Sequence, residues 1–178
     1  GHGRAFWRSH TFTLEAEEAP QRVGAIVDRE EASEGKTVLA EPGTAKPGFL
    51  KVWFPQQFLR GPYLVRFRVR GNGIGPGPLA TFSVVRHFQD RIHDIPTSRP
   101  WSGRPAEGTF EEIALPVTVE LEPMKLEARV FYHGNGALEI DRISIVPDIR
   151  AILSLKLGAL REVLAGLGSG ATTSAQAP

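Results

Sequence analysis

Two glutamates, Glu15 and Glu17, stand two residues apart in the segment FTLEAEE, residues 12–18. In an extended chain Phe12, Leu14 and Ala16 share one face and the two carboxylates share the other, about 7 Å apart. Like charges at that spacing repel unless water screens them or a cation lies between them. A second group capable of chemistry is RHFQDRIHD, which gathers Arg86, His87, Asp90, Arg91, His93 and Asp94. Histidines six apart with interspersed carboxylates could ligate a transition metal, or an Asp–His pair could move a proton. The same residues on a loop could instead bind a ligand or remain solvated. No motif places a nucleophile or a second carboxylate beside them, so catalysis has the least support.

Three further features could act on a ligand. Trp101 falls in HDIPTSRPWSGRPAEG, whose prolines and polar residues read as a long loop; its indole either faces a ligand or folds back to cover the core. Arg66, Arg68 and Arg70 share one face of YLVRFRVR, where they either receive an acidic group or pair with acidic neighbours such as Glu111 or Glu127. GNGIGPGP, residues 71–78, has the glycines of a phosphate loop but no following helix, and reads as a connector. Trp53 and Tyr63 sit in strand-like runs with core parity and read as packing. Asn72 and Asn135 are each followed by glycine, which turn geometry alone explains.

The elements that must position these residues are short and β-rich. Nineteen glycines and fourteen prolines punctuate the chain, and apolar alternation marks strands over residues 12–17, 37–40, 49–54, 63–70, 79–87, 111–119, 125–132 and 137–146. Eight such strands suit an all-β antiparallel sandwich. His133-Gly134-Asn135-Gly136 reads as a tight hairpin between the last two. In the final strand the buried parity passes from Leu138 and Ile140 to Ile143 and Ile145, which predicts a bulge near Asp141. Beyond Pro147, Ile149, Leu153, Leu157, Leu160, Leu164 and Leu167 recur every three or four residues, with Asp148 placed to cap one amphipathic helix. Its leucine stripe is expected to dock on protein, a second copy included, and not to insert into a membrane.

Twenty-one basic residues balance twenty acidic ones, so no global field draws the chain to nucleic acid. The absence of cysteine removes disulfides and thiolate chemistry without deciding the redox compartment. The expected organisation is an N-terminal extension or cloning remnant over residues 1–11, a β-sandwich over 12–147, the helix over 148–168 and a flexible tail over 169–178. The chain reads as a piece of a larger protein.

LEAEE, VDREEASEGKTV, FLKVWF, GPYLVRFRVR and GALEIDRISIVP occur in the order found in galactose-binding-like jelly-roll domains. The chain resembles, within them, the carbohydrate-binding modules of families six and thirty-five, across roughly residues 12–147. The resemblance implies a structural calcium held by Glu15, Glu17 and the final-strand Asp141, with carbonyls from around residues 34–36. Calcium accepts six to eight oxygen ligands, so three carboxylates from two strands suit it. The resemblance also implies a carbohydrate partner, with Trp101 stacking on sugar; Arg91, His93 and Asp94, on the loop read from RHFQDRIHD, are then expected to hydrogen-bond to it. The chain departs from family six at Glu139, where those modules carry asparagine. The function so implied is a non-catalytic carbohydrate-binding module, an accessory domain of an extracytoplasmic glycan-processing or cell-envelope protein. The alternative is a sandwich that docks on a neighbouring catalytic domain or a second copy without binding sugar.

Overall fold

The computed structural model of the chain describes residues 11–55, 58–103, 109–121 and 123–170. Residues 1–10 of the expected extension and 171–178 of the expected tail lie outside the described residues. Among the described residues the strands are β1 (Phe12–Glu15), β2 (Ala25–Asp28), β3 (Lys36–Ala40), β4 (Gly48–Trp53), β5 (Gly61–Gly73), β6 (Ala80–Phe88), β7 (Arg91–Trp101), β8 (Glu111–Val119), β9 (Met124–Tyr132) and β10 (Gly136–Pro147). One helix, α1, spans Ile149–Gly170.

The strands form two antiparallel sheets. Sheet I has the order β2-β3-β10-β5-β8, with β1 also paired to β10; sheet II has the order β4-β9-β6-β7. Alternation explains the burial: Val65, Phe67 and Val69 of β5 face Phe82 and Val84 of β6 and Leu126, Ala128 and Val130 of β9 in one core. Phe67 and Phe82 meet across it at 4.9 Å between ring centres. Each such side chain contributes about 1.5–3 kcal/mol by leaving water.

β3 runs along the Leu138–Ile140 part of β10, and β1 along its Arg142–Ile145 part. The β10–β5 register shifts between these two stretches, so Asp141 is the extra residue that the change of parity predicts.

Several expectations change. β1 ends at Glu15, and Ala16–Glu18 forms a short 3-10 turn closed by the Ala19 N–H on the Ala16 carbonyl, so Glu17 leaves the strand that carries Glu15. The link after β9 is not a hairpin. β9 belongs to sheet II and β10 to sheet I, and the turn carries the chain across the sandwich, with positive φ at Gly134 and Gly136 rather than at Asn135. A Cβ on Gly136 would lie 2.0 Å from the Asn72 carbonyl oxygen, which explains why glycine is needed there. The expected loop around His93 is instead β7, joined to β6 by a turn in which Gln89 and Asp90 both adopt positive φ. Pro96 and Pro100 are compatible with β7 because it is an edge strand.

The chain divides into two compact units after Pro147. In the second, Asp148 caps α1: the Ala151 N–H donates to Asp148 Oδ1 at 3.1 Å. The recurring leucines fall along one side of α1.

Candidate functional site

On the outward face of sheet I, the bulge turns Asp141 into a fully buried position, where its charge needs partners. Asp141 Oδ1 accepts from both the N–H and the hydroxyl of Ser33, each at 3.0 Å, and Oδ2 accepts from Arg68. The same Ser33 hydroxyl lies 2.6 Å from Glu15 Oε2. Glu15 and Asp141 are thus brought together through Ser33. Burial raises the Glu15 pKa above the ordinary carboxylate value; the Ser33 hydrogen bond opposes this, while the charges of Asp141, Glu17 and Glu34 add to it. One oxygen of Glu17, Oε2, is buried without a hydrogen-bond partner.

An orphaned carboxylate oxygen beside a carboxyl raised by burial and, to a lesser extent, by its acidic neighbours is a donor set that suits a hard cation. Against this, no three acidic or imidazole side chains converge into a finished ligand set among the described residues. Arg68 and Ser33 already satisfy Asp141. The fit therefore rests on Glu15 and Glu17.

Glu139, one position before Ile140 on the same strand, is closed off as well. It accepts from Arg29 Nε at 2.6 Å, Thr37 Oγ1 at 2.6 Å and Arg70 Nε at 2.8 Å. Burial raises its pKa, but the three donors outweigh burial and the net direction is down. Arg68 and Arg70 also lie over Phe110, at 4.6 and 4.5 Å from the ring centre. Arg68 and Arg70 therefore pair with Asp141 and Glu139, while Glu127 belongs to sheet II, where it pairs with His87 and Arg129.

The residues expected to touch sugar do not share one site. Trp101 is only 9% exposed and belongs to the core, 5.7 Å from Phe82. The reason is local: it sits opposite Ala80, and a Cβ on Gly71 would come within 3.2 Å of its ring, so small neighbours make room for the indole. A covered indole offers no face for stacking, which corrects the expected role. Asp94 receives two hydrogen bonds from Arg86, whose Nη1 also donates to the Thr118 carbonyl of β8 at 2.7 Å. The Arg86 hydrogen bonds lower the Asp94 pKa. Asp94 therefore clasps one edge of the sandwich, while Arg91 and His93 are exposed on β7.

Sheet II carries a different arrangement. Phe49 and Phe131 are opposite residues of β4 and β9, and their rings meet edge to face at 4.7 Å. His133 follows, 4.8 Å from Phe131, with Nε2 2.7 Å from Thr81 Oγ1. Phe49, Phe131, His133, Thr81, Ser83, Ser98, Ile95 and Arg129 line a groove of about 400 Å³. Further along the same row of β9, Glu127 is buried between His87 Nε2 at 2.8 Å and Arg129 Nε at 2.6 Å, which fixes the guanidinium at the groove. Trp53, opposite Glu127 on β4, is 44% exposed and rests on the His87 ring at 4.3 Å, so it is not the core residue its sequence suggested. Leu50 and Val52 take the core face of β4. These groove residues come from four strands and the turn after β9; in the sequence Phe49, Thr81, Ser83, Arg129 and Phe131 read as ordinary strand residues, and Ile95, Ser98 and His133 as loop or turn residues.

The two sheets and their core define the jelly-roll β-sandwich of carbohydrate-binding modules. The chain is similar to a family 35 carbohydrate-binding module from an environmental isolate (TM-score 0.55, 13% identity, 77% of this chain and 93% of that one). It is similar too to a family 35 module from Clostridium thermocellum (TM-score 0.51, 18% identity, 76% and 98%). A third likeness is to the Arthrobacter globiformis T6 isomalto-dextranase complexed with panose (TM-score 0.53, 20% identity, 76% of this chain), of whose length the chain spans only 23%. No protein-family model and no curated relative matches the sequence. Among the described residues no helix is long and apolar enough to cross a membrane.

Proposed function

We propose that the sandwich is a non-catalytic carbohydrate-binding module, and that the groove on sheet II receives the sugar. The observation that carries this reading is the groove itself: the rings of Phe49 and Phe131 beside the hydroxyls of Thr81, Ser83 and Ser98. Pyranose rings present apolar C–H faces edged by hydroxyls, and aromatic rings beside neutral hydrogen-bonding groups complement them. Arg129, its charge balanced by Glu127, supplies further donors without demanding an anion. The module fold and its place as a fraction of a longer glycan-degrading chain in one similar structure support an accessory role in a larger extracytoplasmic protein. The test is a panel of soluble polysaccharides read by affinity electrophoresis, with Phe131→Ala as the control that removes the groove wall. Retardation by at least one glycan, abolished in the variant, is the expected result; no retardation by any glycan would overturn the reading.

Calcium belongs to the same proposal as a structural ion. Glu15 and Glu17 would hold it, with Asp141 anchoring the Ser33 loop beside them. Its contribution would be to balance carboxylates that otherwise repel. The leucine spacing of α1 favours a second role beside sugar binding, contact with another protein domain or a second copy.

A further inference from the structure

The groove accounts for Phe49 and Phe131 but not for Trp53. An indole is the most costly side chain to leave in water, and this one is nearly half exposed on the same face as the groove. It is not loose. Its ring leans on His87, which is itself buried and hydrogen-bonded to the buried Glu127 carboxylate. Glu127 in turn holds Arg129 at the groove through Nε and through Nη2 at 3.2 Å. One buried carboxylate thus fixes both the guanidinium of the groove and the imidazole under the indole.

Phe49 and Trp53 are four residues apart on β4, so their Cα atoms lie roughly 13 Å apart along the strand. Lys51, opposite Arg129, lies between them on the same face. At the far side of His87, its β7 partner Ile92 is 56% exposed and extends the apolar surface. The outward face of sheet II therefore carries two aromatic platforms, Phe49–Phe131 and Trp53–His87, separated by a basic, hydrogen-bonding row.

We propose that Trp53 braced on His87 is a second sugar-stacking platform, so that this face takes an extended, unbranched glycan segment of trisaccharide length or more along β4 and β9. The inference rests on the groove being the sugar site. Two platforms that far apart cannot be bridged by a single ring, and the intervening Lys51 and Arg129 donate to hydroxyls of the units between them. The ligand class is thus a run of a linear polysaccharide rather than a monosaccharide or short terminal disaccharide.

The experiment is isothermal titration of the intact chain with cello-, xylo-, laminari- and isomalto-oligosaccharides from di- to hexasaccharide, repeated with Trp53→Ala, Trp53→Tyr and Phe131→Ala. In the series that binds, affinity should climb with length beyond the disaccharide. Trp53→Ala should remove that gain, about tenfold, the factor that one aromatic contact supplies. Trp53→Tyr should restore most of it, and disaccharide affinity should stay unchanged in both. Phe131→Ala should weaken every length. Equal affinity for disaccharide and hexasaccharide, or equal loss at all lengths in Trp53→Ala, would overturn the second platform while leaving the groove reading intact. Absence of binding in every series would remove both.

Discussion

On the outward face of sheet I, Glu139 gathers Arg29, Arg70 and Thr37, and Asp141 gathers Arg68 and Ser33. On the outward face of sheet II, Glu127 gathers His87 and Arg129, and the aromatic rings of Phe49, Phe131 and Trp53 stand beside it. Both faces use buried carboxylates with guanidinium partners. In sheet I the guanidiniums also lie over Phe110, so ring and charge satisfy one another. In sheet II Lys51 and Arg129 lie less closely over Phe49, 5.0 and 5.9 Å from its ring centre, and Trp53 stays 44% exposed, where the proposed ligand would stack. The same side-chain types therefore close one face and open the other, and the difference lies in which groups are consumed by the fold.

This contrast can be broken most sharply at Asp141. Replacing it with alanine leaves Arg68 and the Ser33 loop without their acceptor, and loss of one partner of a buried ion pair costs about 3–5 kcal/mol. Urea denaturation should show that loss. Trp101→Ala should cost a similar amount, about 3–5 kcal/mol as a large-to-small core change, while leaving glycan affinity of the folded fraction unchanged. If Trp101→Ala abolished binding without lowering stability, the placement of the site on sheet II would be wrong.

Those two residues also mark what could be read from the sequence. Asp141 was legible because a bulge must change the parity of buried residues, and Leu138, Ile140, Ile143 and Ile145 record that change directly. The cap at Asp148 and the faces of β5 were legible for the same kind of reason, a local pattern with one physical solution. β7 was not, because Pro96, Pro100 and its polar residues carry no alternation; an edge strand needs little. Misreading β7 as a loop left Trp101 free to face a sugar and put Asp94 at a ligand. β2 was missed as well, being short and mostly exposed. The groove was illegible because it depends on pairing: Phe49 meets Phe131, and Thr81 meets His133, only once β4, β9 and β6 lie side by side.

The acidic cluster of sheet I yields the next two effects. If calcium binds the folded chain at Glu15 and Glu17, then adding it at about a hundred times its dissociation constant stabilises by about 2.7 kcal/mol, and chelator removes this. An unchanged melting midpoint with and without chelator would remove the ion. Without calcium the sign at Glu15 is opposite to that of a salt-bridged acid. Its folded pKa is raised, so its favourable contribution is present below the unfolded value and is lost as pH rises through the folded one. In chelator, Glu15→Gln should therefore exceed the parent in urea midpoint at neutral pH and approach it near pH 4. Calcium should narrow or reverse that advantage.

The smallest effect expected is at the edge of sheet II, where Asp94 meets Arg86. The Asp94 pKa is lowered chiefly by hydrogen bonds from Arg86, with a small opposing effect of burial. Stability from this pair is thus present above the unfolded aspartate pKa and lost as pH falls through the lower folded value. The Asp94 side chain is 39% exposed, so solvent screening holds the contribution to about 1 kcal/mol or less. Asp94→Asn should lower stability slightly at neutral pH and flatten its decline in acid below about pH 4, where the parent is protonating its carboxylates. Because Arg86 also reaches the Thr118 carbonyl of sheet I, the variant should loosen the β7 edge more than the groove, and glycan affinity should hold. A large loss of affinity in Asp94→Asn at unchanged stability would instead place a ligand contact on β7, extending the open face of sheet II to its outermost strand.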